Sequence, residues 1–157
     1  MPTDTDTAPR AKVLSMRLDA QRSFVDEIRR LVQAFCTEAA DAEAGSQVAL
    51  AAQELVQNAI SNASSPSIEL TVAVDPAVRG LQLAVSHDCA PDKVARLRER
   101  LAGLYRHADA LQGYLATMAA NPDGAGGLGL ARVRWESRLD LALDERRGRV
   151  TVRAYRH

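Results

Sequence analysis

ELVQNAISN, residues 54–62, is the stretch around which the rest of the chain is organised. Helical spacing places Glu54, Asn58 and Asn62 on one polar line, because residues four apart lie above one another on a helix. Leu55 and Ala59 lie beside that line and begin an apolar stripe. A carboxylate can act as a base, and an amide oxygen is a suitable magnesium ligand. These nine residues taken alone nevertheless favour a solvated helix face, which carries the same residue types.

Composition limits the classes of function that the chain can serve. A length of 157 residues suits one domain, and the formal net charge of +0 gives no global field that would attract nucleic acid or an acidic membrane. Cys36 and Cys89 are too few for a disulfide framework and suit a reducing cytoplasm. Residues 1–10 are polar and resemble no signal peptide, and no apolar run is long enough to span a membrane. We therefore expect a cytoplasmic protein with a flexible tail over residues 1–10 and a single domain over residues 11–157.

Hydrophobic periodicity predicts the element order β-α-α-β-β-α-α-α-β-β. Two alternating stretches, residues 68–85 and 139–155, each predict a hairpin. The predicted fold class is α+β, a two-layer α/β sandwich with a mixed, mostly antiparallel sheet and helices on one face. The first finer prediction is a helix over residues 20–40 capped by Asp19. Its apolar face holds Phe24, Ile28, Leu31 and Phe35, with Val25, Val32 and Cys36 beside them, which makes Cys36 a core residue. The others are a turn over 42–46, a helix over 47–63, and a helical stretch from Leu97 to Met118 broken at Gly103 or Gly113.

The second informative stretch is GAGGLGL, residues 124–130, which precedes a short predicted helix. Glycines allow close backbone approach, and the free N–H groups at a helix start attract phosphate. The spacing of Gly124, Gly126 and Gly129 matches G-x-G-x-x-G, but no hydrophobic strand precedes it and too little chain follows for a Rossmann unit. No lysine follows the glycines, which excludes a P-loop. A phosphate-binding turn and a flexible connector both remain open for this loop in isolation.

The two motifs in this order, separated by a hairpin and a helical stretch, resemble the GHKL ATPase superfamily. Within it the chain looks most like the RsbW-like anti-sigma-factor serine/threonine kinases and the SiaB-like partner-switching kinases, over Val13 to Tyr155. This resemblance implies a Bergerat-type ATP-binding domain that uses ATP and Mg²⁺. It also implies a cytoplasmic homodimer and a protein partner, either a STAS-type antagonist that is phosphorylated or a sigma-like regulator, with no nucleic acid or membrane bound.

The resemblance also assigns roles to individual residues. Glu54 matches the catalytic acid that orients or deprotonates the attacking group, and Asn58 matches the amide that holds Mg²⁺ against the phosphates. Asn62 lies one turn further along and joins the nucleotide site. Arg134 falls where related kinases carry a basic residue, whereas Arg132 either reaches phosphate or is solvated. The predicted nucleotide-binding residues of the glycine loop are Gly124, Gly126, Gly127, Gly129 and Leu130.

The middle motif of the superfamily, D-x-G-x-G, is replaced here by VSHDCAP, residues 85–91. The best alignment places His87 where the family has the aspartate that accepts the adenine amino group, and a one-residue shift would let Asp88 serve instead. Cys89 and Pro91 then replace glycines, and proline removes a donor and fixes φ. Two functions therefore remain open: a serine/threonine kinase, and a non-catalytic GHKL-fold module, a pseudokinase, that sequesters a partner protein.

Overall fold

The computed structural model describes residues 10–20, 24–77, 79–122 and 127–156. The predicted element order is confirmed. Gly124 and Gly126, together with nearly all of the predicted tail, lie outside the described residues. The elements are β1 (Lys12–Asp19), α1 (Val25–Ala39), α2 (Ala42–Asn62), β2 (Ala63–Asp75), β3 (Gly80–Cys89), α3 (Pro91–Tyr105), α4 (Ala110–Ala120), α5 (Leu128–Trp135), β4 (Asp140–Arg146) and β5 (Arg149–Arg156).

The five strands form one sheet in the order β1-β2-β3-β5-β4. Each of its four pairings is antiparallel, which confirms the predicted mostly antiparallel sheet and leaves no parallel pair among the described strands. The reason is that β5, after its hairpin with β4, returns beside β3 in the opposite direction. The helices pack on one face, and the predicted two-layer α+β fold is confirmed. Within the described ranges, no helix is long and apolar enough to cross a membrane.

Strand alternation separates the two faces of the sheet. On the covered face, residues such as Leu70, Leu83 and Val152 are almost fully buried against the helices. On the other face, hydroxyl and charged groups pair across strands, as Ser86 and Thr151 do at 2.7 Å. This division decides on which side of the sheet each residue of the degenerate middle motif lies.

Helix α1 differs from its prediction at its start and in its buried face. Asp19 ends β1 and caps no helix, since α1 begins at Val25 with Phe24 as a capping residue that makes no side-chain bond. Of the predicted face, Phe24 and Leu31 are 50% and 49% exposed, whereas Ile28 is buried together with Val32 and Cys36 beside it, and the prediction of Cys36 as a core residue is confirmed. Apolar residues cover more than one stripe of this helix, so periodicity could not select the stripe that meets the sheet.

Helix α2 begins earlier than predicted, and the predicted turn over residues 42–46 is wrong. Asp41 caps the helix, because its carboxylate accepts a hydrogen bond from the backbone N–H of Ala44 at 2.7 Å. Gly45 lies in the first turns, where a Cβ atom would overlap the hydroxyl of Thr37 on α1. The glycine is therefore explained by the close approach of α1 and α2, not by a turn.

The break in the long helical stretch lies at neither predicted glycine. Gly103 is inside α3 and Gly113 is inside α4, whereas the chain leaves the helix over residues 106–109. Asp109 then caps α4, accepting a hydrogen bond from Leu111 N at 2.8 Å. The capping aspartate, a typical helix-start signal, marks the boundary better than the glycines do.

Candidate functional site: a cavity between α2 and α5

A cavity of about 300 Å³ opens between the C-terminal half of α2 and the start of α5, and we call it the α2–α5 cavity. The polar line of α2 faces it, so the structure brings together the helix motif and the glycine segment that are far apart in sequence. Its lining residues are Glu54, Gln57, Asn58, Ser61, Asn62, Arg100, Gly127, Gly129 and Leu130.

Two glycines of the predicted loop explain how α5 comes so close to α2. Gly127 precedes α5 with φ of 87°, a left-handed conformation that other residues adopt only with strain. Gly129 lies against the side chain of Glu54, and a Cβ atom at this position would overlap Glu54 Oε2. The absence of a side chain at Gly129 therefore places the carboxylate of Glu54 at the first turn of α5.

Glu54 is held by an arginine of α5. Its side chain is 9% exposed, and its Oε1 accepts a hydrogen bond from Arg132 Nη1 at 2.7 Å. Arg132 also pairs with Glu136, at 3.3 Å between Nη2 and Oε2. Burial raises the pKa of Glu54, and the charge of Arg132 opposes that rise. The two sequence-based alternatives were a solvated Arg132 and an Arg132 that reaches phosphate. The structure shows instead a half-exposed Arg132 that bridges two carboxylates.

The two asparagines of the polar line are bonded to each other. Asn62 Nδ2 donates to the backbone oxygen of Asn58 at 2.7 Å and to its Oδ1 at 3.2 Å. Within the described ranges, Asn58 Nδ2 is buried without a hydrogen-bond partner. Asn62 therefore orients the Asn58 amide, whose Oδ1 keeps a further lone pair for a hard cation.

The donor set of the α2–α5 cavity fits Mg²⁺ that is bound together with phosphate. No cluster of three histidine, cysteine, aspartate or glutamate side chains occurs in the described part of the chain, so these groups alone do not form a metal cage. Mg²⁺ is commonly held by one or two protein oxygens, waters and substrate phosphates. Asn58 Oδ1 is an oxygen of that kind, and the start of α5 favours anions.

His87 lies on the covered face of β3 and is not among the residues that line the α2–α5 cavity. It is 1% exposed, and neither ring nitrogen has a hydrogen-bond partner among the described residues. Desolvation lowers its pKa, and the nearby charge of Arg149 lowers it further. The ring is therefore neutral at pH 7, and its predicted contact with adenine stays a prediction.

Asp88 cannot replace His87, because adjacent strand residues point to opposite faces. Its carboxylate lies on the uncovered face of the sheet, where it accepts hydrogen bonds from Ser65 at 2.9 Å and Arg149 at 3.2 Å. These two bonds lower the pKa of Asp88. The assignment of Asp88 to the nucleotide site is corrected accordingly: the residue belongs to a polar network on the far side of the sheet.

The remaining residues of the middle motif have structural roles. Cys89 is buried, which raises the pKa of its thiol. Pro91 is the first residue of α3, where its fixed φ suits the helix and its missing N–H costs nothing. The sequence that replaces D-x-G-x-G therefore completes a strand and starts a helix.

Substitution His87→Leu is expected to stabilise the protein. It removes a buried polar group without a partner, which costs about 1–3 kcal/mol. The folded-state pKa of His87 is lowered, so wild-type stability is fully present above the unfolded-state pKa near 6.5 and falls as pH decreases below it. The variant should therefore lose part of this pH dependence. Urea unfolding at pH 5.5 and 8 measures both effects, and a variant less stable than wild type at pH 8 would show that the ring has a partner.

Arg134, expected from the resemblance to be a basic residue beside the site, caps α3 instead. Its guanidinium donates to the backbone oxygens of Leu104 at 2.7 Å and His107 at 2.9 Å, and it lies 4.3 Å from the centre of the Tyr105 ring. These contacts join α5 to the end of α3. Arg134 therefore stabilises the segment that connects α3 and α4.

A second cavity of about 370 Å³ adjoins the first between α3 and α4, and we call it the α3–α4 cavity. The two cavities share Arg100 and Gly127 as lining residues. The basic residues Arg106 and His107 also line it. Sequence reasoning missed Arg100, which lies on a helix rich in charged residues and belongs to no motif.

Comparison with known proteins places the fold. No protein-family model matches the chain, and no curated protein matches it. Among solved structures it matches a chain of the SiaB–SiaC complex from Pseudomonas aeruginosa with a TM-score of 0.66 and 20% identity, over 91% of this chain and 89% of that one. The two chains share one fold. The likeness therefore confirms the fold that the motifs predicted.

Proposed function

We propose that the α2–α5 cavity binds ATP with Mg²⁺ and that the protein is a serine/threonine kinase of a bacterial partner-switching pathway. The observation that carries the proposal is the convergence of Glu54, Asn58 and Gly129 on one cavity. The fold supports it, because the matched chain belongs to a complex of two proteins, SiaB and SiaC. The substrate proposed here is a small STAS-type partner. By the same resemblance, the kinase is a cytoplasmic homodimer.

In this proposal the chain contributes positioning and one base. Arg132 holds Glu54 Oε1, and Oε2 lies beside Gly129 at the cavity. Glu54 accepts the proton of the attacking hydroxyl, and its raised pKa brings it closer to the optimum for a base at neutral pH. Asn62 orients Asn58 toward the cation. When bound, Mg²⁺ neutralises charge on the phosphates.

A non-catalytic module that sequesters a partner is the second candidate. It is favoured by the middle motif, in which Asp88 faces away from the helices and His87 lines neither cavity. It is also consistent with Arg132, which already pairs with the carboxylate that a kinase uses as its base. The two candidates differ in turnover, because both retain the fold and a protein partner.

Phosphotransfer decides between the two. Purified protein is incubated with Mg²⁺, ATP and each STAS-domain protein of the source genome, and each partner is analysed by intact mass spectrometry. If the protein is a kinase, at least one partner should gain one phosphate on a serine or threonine. Stable complex formation with such a partner and no phosphate gain would support the sequestering module and overturn the kinase.

A further inference from the structure

Arg100 differs from the other arginines on its helix. Arg96 pairs with Asp92 at 2.8 Å, and Arg98 pairs with Glu145 at 2.9 Å. Arg100 is exposed, and the described residues provide it with no ion pair or hydrogen bond. It nevertheless lies at a defined place, because it lines both cavities.

The side chain of Arg100 lies close to the residue that precedes α5. Its Cδ and Nε lie 3.9 and 4.0 Å from the point where a Cβ atom of Gly127 would be. The side chain thus runs across the residue that precedes α5. An anion bound at the start of α5 would lie within reach of a guanidinium as well as the helix N–H groups.

The charges around the two cavities are unbalanced in favour of anions. Among the described residues that line the two cavities, Glu54 is the one acidic residue, and Arg132 offsets its charge. The α3–α4 cavity adds the positive charge of Arg106 and, in the described part of the chain, no carboxylate. Among the described residues, no carboxylate therefore compensates the charge of Arg100 at the junction of the two cavities.

We propose that Arg100 is a phosphate-binding residue, which makes the site selective for nucleoside triphosphates over nucleoside monophosphates. This inference rests on the proposed binding of ATP in the α2–α5 cavity. A guanidinium is suited to this task because its planar donors bind phosphate oxygens in pairs. Arg100 has no carboxylate partner among the described residues, so it can form these bonds without first breaking an ion pair with one of them.

The test is calorimetric titration of the full chain with ATP, ADP and AMP in the presence of Mg²⁺. Arg100→Gln should weaken ATP binding by about 10- to 100-fold, the range for hydrogen bonds to a charged group, and should weaken AMP binding less. Arg100→Lys should retain part of the affinity, because it keeps the charge and loses the paired geometry. Arg96→Gln is the matched control, since it removes the same charge from the same helix outside both cavities.

The outcomes separate this inference from the function on which it rests. If wild type binds ATP and Arg100→Gln binds it equally well, or loses ATP and AMP affinity in equal proportion, Arg100 is not the selective residue and the proposed function stands. If wild type shows no ATP binding, both proposals fail. The melting temperature without nucleotide, measured by circular dichroism, should be the same for wild type and both Arg100 variants. The reason is that Arg100 forms no hydrogen bond or ion pair with the described residues that a substitution would remove.

Discussion

Glu54→Gln is expected to reduce phosphotransfer by about 10²- to 10⁴-fold, the usual contribution of a general base. Glutamine keeps the shape of the side chain and its contact with Gly129 but accepts no proton. ATP binding should change little, because Asn58 and the start of α5 are unaltered. The measurement is the initial rate of phosphate incorporation into the partner at saturating ATP.

Glu136→Gln is the matched control for this substitution. Glu136 pairs with the same arginine as Glu54 does but is not among the residues that line the α2–α5 cavity. We expect its replacement to change the rate by less than tenfold, which is below the range of a lost general base. Equal losses from the two variants would show that Glu54 acts by pairing with Arg132 rather than as the base. Unaltered turnover in Glu54→Gln would remove the base assignment altogether.

Gly129→Ala is expected to have the second largest effect, on both folding and binding. The added methyl group overlaps the Glu54 carboxylate, so α5 must move away from α2 or the carboxylate must leave its place beside α5. Such overpacking costs about 1–3 kcal/mol in well-packed sites. The α2–α5 cavity would change shape at the start of α5, where we propose that phosphate binds, and the affinity for ATP should fall at least tenfold. Urea unfolding and nucleotide titration measure the two effects.

Gly103→Ala provides a control with the opposite sign. Gly103 lies inside α3, and a Cβ atom there would have no neighbour within 4 Å among the described residues. Alanine in a helix interior is more favourable than glycine by about 0.5–1 kcal/mol. The protein should therefore become slightly more stable. A destabilisation by Gly129→Ala no larger than the change at Gly103 would mean that α5 is free to shift and that its close approach to Glu54 is unimportant.

The sequence predicted those parts of the fold that depend on local patterns. The hairpins, the element order and the polar line of Glu54, Asn58 and Asn62 follow from periods of two and four residues. The buried stripe of α1 was not predictable in this way, because Phe24 and Leu31 are as apolar as the residues that pack on the sheet. Ile28 was predicted from periodicity, but only the position of the sheet buries it together with Val32 and leaves Phe24 and Leu31 exposed.

The interactions within the site could not be derived from spacing. Arg132 and Glu54 are 78 residues apart, and Arg100 approaches Gly127 only when α3 and α5 are in place. The orientation of Asp88, in contrast to these contacts, could have been predicted from the sequence. The side chains of Leu81, Leu83 and Val85 point to the core. Continued alternation places His87 on the same face of the sheet and Asp88 on the opposite face.

Titration of the full chain with ATP, with and without Mg²⁺, tests most directly the claim that the α2–α5 cavity is a Mg²⁺–nucleotide site. Wild type should bind ATP and bind it more tightly when Mg²⁺ is present. Asn58→Ala should lose most of the gain that Mg²⁺ provides, because it removes the amide oxygen that Asn62 orients. Absence of ATP binding by wild type, or an equal Mg²⁺ effect in wild type and Asn58→Ala, would contradict the account.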